Sequence, residues 1–390
     1  TSNINTLQLH NKTISINTNY LNMIVYKWKP IELLTIDFYI KKHDDDYILF
    51  SGINKKDFDK FRLHYIEDYK SIISNKYHNA EFFPIQFMPS DEPYAYIFES
   101  KHYKGTDLID GKVGEFSYDV KTKSWKLIRL RTDRDDDVSR GTYFGNYYKI
   151  AESIWNNIKN PLTIENLTSS ESKKYFKVDF NNTYKAQRNF NSFVKSVLLD
   201  DFKEVNWIID LASGKGQDLQ RIANLNIKNG LFIDNDESAL SELIERKYSI
   251  KTHGMRINTK KMDLTTDYDT IIKELTKFDL PISGVDVIIC NFAFHYFTDS
   301  YDHINNIINL VSKLLKPNGI FMFTTFNGEK IFNKLNKSDV FDLEEGSATK
   351  YSIKKQFVST KLTNLGQQIG VLLPFSNNEY YPEYLVNLPY

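Results

Sequence analysis

From residue 206 to the 320s, short apolar runs alternate with longer mixed stretches, and few folds accept that rhythm. NWIIDL (206–211) and GLFID (230–234) read as strands, each followed by a segment of helical composition. VDVIICN (285–291) is apolar almost without interruption, as a strand covered on both faces must be. A helix candidate at 302–315 leads into Pro317-Asn318-Gly319, a turn signal, and then into the strand-like GIFMFTTF. Strands separated by helices form a parallel sheet with helices on both sides. The expected fold of this half is therefore a Rossmann-like, doubly wound α/β sheet.

The segment Asp210-Leu-Ala-Ser-Gly214-Lys215-Gly216-Gln-Asp218 falls between the first strand and the next helix. Glycines there let the backbone adopt positive φ and pass close to a ligand. The loop sits at the carboxyl end of a strand, where open α/β sheets bind ligands. It lacks the third Gly or Ala of a dinucleotide fingerprint, since Leu219 stands there, and no phosphate-binding Lys-Ser/Thr pair follows. It is poor for pyrophosphate and suits a ligand with a cationic sulfonium and a zwitterionic methionine end. Asp234 ends the second strand, 18 residues after Gly216, near the spacing at which an acidic residue holds ribose hydroxyls. Asp263, in KMDL, is an acceptor for an adenine amino group. Either aspartate alone is more often a helix cap or turn former. In this order and spacing the set favours a nucleoside cofactor.

The first half has a different period. VYKWKPIELLTIDFYIKK alternates as a strand does, and YILFSGI, YAYIFES, GKVGEFSYDV and SWKLIRLR continue the pattern between turn formers such as Gly52, Pro89, Pro93 and Gly111. This predicts a small all-β barrel or sandwich. Residues 145–158 read as a helix with Tyr147, Ile150, Ile154 and Ile158 on one face. A stretch rich in Asn, Ser, Thr and Glu after Asn160 marks a linker at 161–175.

Composition narrows the remaining possibilities. No apolar run approaches the roughly 18 residues of a membrane span, and no cleavable signal opens the chain. A start without Met suggests a fragment or a processed chain. The single cysteine, Cys290, excludes a disulfide framework and a cysteine-rich zinc site, fits a reducing compartment, and reads as a buried core thiol. Lys+Arg and Asp+Glu are both 50, so any groove for nucleic acid must be local.

Four segments of the second half resemble the mRNA cap guanine-N7 methyltransferases. RNFNSFVKSVLL (188–199) is similar to that family's Asn-Asn-Trp-(Ile/Met)-Lys-Ser-Val-Leu-Ile opening. DLASGKGQDLQR (210–221) is similar to its Asp-Leu-Gly-Cys-Gly-Lys-Gly-Gly-Asp loop, NFAFHYFTDS (291–300) to its Gln-Phe-Ala-(Phe/Leu)-His-Tyr segment, and PEYLVNLPY (382–390) to its Glu-Tyr-Leu-Val segment. The resemblance implies a class I methyltransferase fold and S-adenosylmethionine as cofactor. It implies that Lys195, Gly214, Asp234, Asp263 and Asn291 hold the cofactor, joined by Asp210 and by Lys215 in the same loop. It implies that Asn191, His295, Tyr296 and Glu383 hold the cap guanine, with Phe292 or Tyr296 stacking on the base. Taken singly, the His-Tyr pair reads as a packed core edge and Lys195 as a solvated charge; the ordered set reverses that reading. The departures are Ser192 for the second Asn, Phe193 for Trp, Ala212-Ser213 for Gly-Cys, Gln217 for the second Gly, and Asn291 for Gln. The family continues for several dozen residues past its Glu-Tyr-Leu-Val, so the expectation is a C-terminally incomplete methyltransferase domain.

The first half is similar to the C-terminal part of the mRNA guanylyltransferases. VYKWKP (25–30) with TIDF (35–38) resembles their motif V, and residues 112–137 resemble the end of their OB-fold domain, closing on Arg131-Thr-Asp133-Arg134 where the family has Lys last. The expected division is 1–40 as the end of a nucleotidyltransferase-like domain, 41–160 OB-fold-like, 161–175 linker and 176–390 methyltransferase. Such a pairing resembles the capping enzymes of large cytoplasmic DNA viruses. It implies the capped mRNA 5' end as substrate, a stimulatory subunit or other capping-enzyme domains as partners, and the host cytoplasm or virion as location. The Lys-x-Asp-Gly nucleophile motif of guanylyltransferases is missing from the sequence, so covalent nucleotidyl transfer is not expected. No metal site is expected, and no catalytic acid–base dyad is required for methylation at guanine N7, which carries a free lone pair. The alternatives are a methyltransferase of another substrate and a non-catalytic fragment that binds RNA or a partner.

Overall fold

The computed structural model describes residues 4–9, 12–17, 29, 31–43, 46–61, 77, 80–91, 97–99, 109–161, 185–200, 202, 205–276, 278–345, 348–373 and 379–387. The expected linker beyond Pro161 and the VYKWKP segment apart from Lys29 lie outside the described residues.

A hairpin, β1 (Ile4–Leu9) and β2 (Lys12–Asn17), precedes an antiparallel sheet. That sheet contains β3 (Ile36–His43), β4 (Asp46–Asn54), β5 (Phe82–Gln86), β6 (Ile97–Glu99), β7 (Val113–Asp119) and β8 (Ser124–Leu130). The order is β5-β4-β3-β7-β8, with β6 also on β4, which is the strand sequence of an OB barrel opened between its third and fifth strands. The core forms because alternate residues face inward. Ile36, Phe38 and Ile40 are fully buried, and the Phe38 ring centroid lies 5.1, 5.8 and 5.0 Å from those of Phe87, Phe116 and Trp125.

Among the described residues three helices accompany this sheet: α1 (Lys55–Phe61), α2 (Asp135–Arg140) and α3 (Tyr148–Lys159). Two expectations are corrected here. Gly52 is not a turn residue. It lies inside β4 opposite Pro84, and the Phe82 ring occupies the space where a Cβ would sit, 2.4 Å from the ring's Cζ. The buried face of α3 is not Tyr147-Ile150-Ile154-Ile158 but Tyr148, Ala151, Glu152, Trp155 and Ile158; Ile150 is half exposed. The rings set the rotation. Trp155 packs at 4.8 Å on Tyr118 and 5.7 Å on Trp125, a larger apolar area than the isoleucines offer.

The second half is a five-stranded parallel sheet of β9 (Trp207–Leu211), β10 (Asn229–Asp234), β11 (Arg256–Lys261), β12 (Val285–Asn291) and β13 (Leu315–Thr324), in the order β11-β10-β9-β12-β13. Its helices are α4 (Lys185–Leu199), α5 (Leu219–Ala223), α6 (Glu237–Ser249), α7 (Tyr268–Leu275), α8 (Tyr301–Leu314) and α9 (Gly328–Leu335). The unbroken apolar strands divide their side chains between two cores. Ile209, Leu231, Ile288 and Cys290 meet Ile271 and Leu310 from α7 and α8. Ile208, Phe232, Val287 and Ile289 meet Leu219, Leu240 and Leu243 from α5 and α6. The Pro317-Asn318-Gly319 turn is absorbed as a bulge in β13, where Val285 pairs with Leu315 but Val287 with Ile320. A second antiparallel sheet, of β14 (Val340–Glu345), β15 (Ala348–Lys355), β16 (Gln368–Leu372) and β17 (Tyr381–Tyr384), was not anticipated from the sequence. It roofs the carboxyl ends of the parallel strands.

Candidate functional site

The strand order reverses between β9 and β12, and at that switch point a cavity of about 1190 Å³ opens under the roof sheet. Every residue singled out from the sequence as cofactor- or base-binding contributes to its lining.

The floor is the loop after β9. Ala212, Gly214 and Gly216 all take positive φ, at 59°, 52° and 63°. Gly216 is required for a second reason: a Cβ there would stand 2.6 Å from Leu243 Cγ of α6. This glycine therefore serves loop-to-helix packing rather than ligand approach. The loop is clamped by Asp234, whose Oδ2 accepts from the Gly214 amide at 2.7 Å and whose Oδ1 accepts from the Asp236 amide at 2.9 Å. Burial raises the Asp234 pKa above the usual carboxylate range. Burial, and then the neighbouring Asp218 carboxylate, push Asp210 well up as well. Asp263 is exposed and accepts from the Thr265 amide and hydroxyl at 2.9 and 2.7 Å. The Lys215 ammonium is paired with Glu242 of α6 at 2.7 Å.

Asp218 is the hub that the sequence reading quoted within its loop motif but did not assign. It is 6% exposed and receives Lys195 Nζ at 2.7 Å, Asn291 Nδ2 at 3.2 Å and the Arg221 guanidinium. Arg221 then donates to Ser196 Oγ at 2.9 Å and Ser192 Oγ at 2.6 Å, which ties α4 to the loop. The only sequence signal was the motif's closing aspartate. Lys195 lines the cavity with its ammonium on Asp218 and 5.4 Å from the centroid of Phe292.

The far side of the cavity is aromatic. Phe292 turns the chain after β12 at φ 55°, its amide held by the Thr324 carbonyl at 2.9 Å. The 3-10 turn Phe294–Phe297 that follows carries His295 and Tyr296. His295 is 3% exposed, packs 4.2 Å from Tyr296 and 5.0 Å from Phe326, and among the described residues has no hydrogen-bond partner on either ring nitrogen. Its Nε2 lies 3.5 Å from Glu383 Oε2 on β17. Burial drives both groups toward their neutral forms, His295 down to about 3 and Glu383 up to about 7. Asn191 lines the same cavity from α4, where it accepts from Gln187 Nε2 at 3.3 Å. Cys290, by contrast, is a fully buried thiol in the core beneath the site, its pKa pushed up by burial.

In the first half, the two segments likened to guanylyltransferase motifs meet. Arg131 binds Asp133 in two-pronged fashion, at 2.9 Å for each bond, and also binds Asp37 of the TIDF segment.

A parallel sheet with this loop at its switch point defines the class I S-adenosylmethionine-dependent methyltransferases. The donor set fits that cofactor: a carboxylate-rich floor for a cation and ribose hydroxyls, and no lysine–hydroxyl pair for a phosphate. The chain belongs to the mRNA (guanine-N(7))-methyltransferase family, whose domain matches residues 171–390. Residues 34–168 match the C-terminal domain of the mRNA capping enzymes. The chain is 34% identical to the mRNA-capping enzyme of African swine fever virus (isolate Pig/Kenya/KEN-50/1950), over 95% of this chain and 46% of that protein. It is 25% identical to the probable mRNA-capping enzyme of Acanthamoeba polyphaga mimivirus, over 93% of this chain and 36% of the other. It is 27% identical to the mRNA cap guanine-N(7) methyltransferase of Candida glabrata, over 50% and 42% of the two chains. The chain spans about half or less of the length of these curated relatives.

Proposed function

We propose that the chain transfers a methyl group from S-adenosylmethionine to N7 of the cap guanine of RNA, as one part of a multifunctional capping enzyme. The observation that carries this reading is the buried His295–Glu383 pair in the same cavity as the Asp210–Asp218 loop. A histidine without a hydrogen-bond partner among the described residues, packed on the Tyr296 and Phe326 rings and facing a carboxyl group, suits a flat base with donors on one edge and an acceptor beside them. Glu383 would accept from guanine N1–H and the exocyclic amine. His295, neutral at pH 7, would donate to O6, while Tyr296 or Phe292 stacks and Asn191 completes the rim.

On the floor, Asp234 and Asp263 would hold the ribose and adenine, and Asp210, Gly214, Lys215, Asn291 and Lys195 the remainder. The cofactor supplies an electrophilic methyl group. The residues supply orientation and exclusion of water, with no general base, because N7 has a free lone pair. A histidine with its pKa near 3 is a poor base at pH 7, which agrees with that division of labour.

The proposed division is residues 1–40 from a nucleotidyltransferase-like domain, 41–160 an OB-fold domain, 161–175 a linker and 176–390 the methyltransferase domain. Capped RNA is the proposed substrate, other capping-enzyme domains or a stimulatory subunit the proposed partners, and the cytoplasm or virion the proposed location. Among the described residues no helix is long and apolar enough to cross a membrane.

Calorimetry with S-adenosylmethionine and a methylation assay on GpppA-capped RNA test the reading together. Binding without transfer to capped RNA means another substrate. Neither binding nor transfer means a non-catalytic module.

A further inference from the structure

Helix α6 touches two parts of the molecule at once. Toward the cavity, Leu243 fills the space beside Gly216, Arg246 Nε donates to the Lys215 carbonyl at 3.1 Å, and Glu242 pairs with the Lys215 ammonium at 2.7 Å. The next two residues, Lys247 and Tyr248, face the N-terminal β unit. There Glu152 of α3, 0% exposed, accepts from the Tyr248 hydroxyl and from the Ser90 amide. Lys247 Nζ lies 3.4 Å from Glu152 Oε2 and donates to Ser90 Oγ at 2.8 Å. The contact continues on both sides. The Ser90 carbonyl accepts from the Thr259 amide at 2.8 Å, and Thr252 Oγ1 donates to the Lys60 carbonyl at 3.1 Å.

Burying a carboxylate against an ammonium is a weak way to gain stability, because desolvation offsets most of the attraction. Such a pair is directional, however, and tolerates little sliding. Here it grips α6 at the residue next to the one that grips the loop. A thirteen-residue helix transmits that constraint as a rigid body.

We propose that Glu152, in the β unit, is a positioning residue for the methyltransferase site: through α6 it holds the loop 213–218 in its cofactor-binding conformation. The inference rests on the reading of that loop as the S-adenosylmethionine site. It makes the capping-enzyme half of the chain a working part of the methyltransferase half rather than a neighbour on a tether.

The test uses the full chain and three variants: Glu152→Gln, Arg246→Met and the two combined. The first readout is amide hydrogen exchange across residues 213–218 without any ligand. The second is S-adenosylmethionine affinity by calorimetry, with the KM and kcat of methyl transfer. Glu152→Gln is expected to speed loop exchange about tenfold and to raise the cofactor Kd and KM by a similar factor, with kcat at saturation little changed. Arg246→Met is expected to give the same loop signature, and the double variant to be no worse than the worse single, because both act through one link. Unchanged loop exchange in Glu152→Gln, or effects of the two substitutions that multiply in the double, would overturn the proposal. Should Glu152→Gln not fold, Tyr248→Phe removes one hydroxyl and enters the same cycle with Arg246→Met. If the parent chain binds no S-adenosylmethionine, the site reading fails, and the ligand-free exchange data still decide whether Glu152 acts on the loop.

Discussion

His295 Nε2 and Glu383 Oε2 stand 3.5 Å apart, each more than nine-tenths buried, with burial pushing their pKa values in opposite directions to about 3 and about 7. The pair is therefore uncharged over much of the acid range.

Cap affinity should depend on pH through Glu383. In the proposed pocket the carboxylate form would accept guanine's donors, and the protonated form would not. Above pH 7 binding of a GpppA cap analogue should be constant, and below it affinity should fall by up to about tenfold per pH unit. Glu383→Gln should weaken the cap by about 2 kcal/mol or more, flatten the pH profile and leave S-adenosylmethionine affinity unchanged. A pH-independent cap affinity in the parent, measured by fluorescence titration, would remove Glu383 from the base pocket.

The same pair makes a prediction about stability. His295 has a depressed folded pKa, so its contribution is present above 6.5 and lost as pH falls toward 3. Glu383 has a raised folded pKa, so its contribution is present below 4.5 and lost as pH rises through 7. Between pH 4.5 and 6.5 the two slopes oppose and cancel. Glu383→Gln removes one of them, and unfolding stability should then fall by about 1.4 kcal/mol per unit as pH drops from 6.5 to 4.5. Urea melts of parent and variant at both ends of that window would decide it; parallel curves would count against the assignment.

Asp218 should matter for folding more than Asp234. Asp218→Ala strands Lys195, Arg221 and Asn291 without their shared acceptor and should cost about 3 kcal/mol in thermal or denaturant unfolding. Asp234→Ala frees two loop amides near the surface of the site and should weaken S-adenosylmethionine by about 1–3 kcal/mol. Calorimetry on Asp234→Ala with unchanged affinity would show that its carboxylate only shapes the loop.

Gly52→Ala should destabilise the β unit by about 1–3 kcal/mol, because the new methyl meets the Phe82 ring at 2.4 Å and the ring must move. Gly52→Ala combined with Phe82→Leu should recover part of that loss. No recovery would place the strain in the backbone instead.

What the sequence made legible follows from local physics. VDVIICN and NWIIDL could be read as strands because a doubly covered strand needs an unbroken apolar run. The glycine loop was visible because its neighbours fixed it between a strand and a helix. Asp218 was not assigned because its role depends on Lys195 and Asn291, which only the folded sheet brings to it. The rotation of α3 was misjudged because periodicity counts isoleucine and tryptophan alike, whereas packing favours the larger ring. The roof strands escaped notice because Phe341 and Leu343 are partly exposed and bordered by charges, a weak alternation on any scale.

The roof has a consequence for how such a site diversifies. Glu383 comes from β17, whereas Asp210, Asp218 and Asp234 come from the parallel sheet and its loops, and the two groups share no strand. In the proposed assignment the guanine pocket is therefore composite: β17 supplies Glu383, while α4 and the turn after β12 supply Asn191, Phe292, His295 and Tyr296. On that assignment, Glu383 and its roof neighbours are the part of the pocket that can be redesigned without touching an element of the glycine loop.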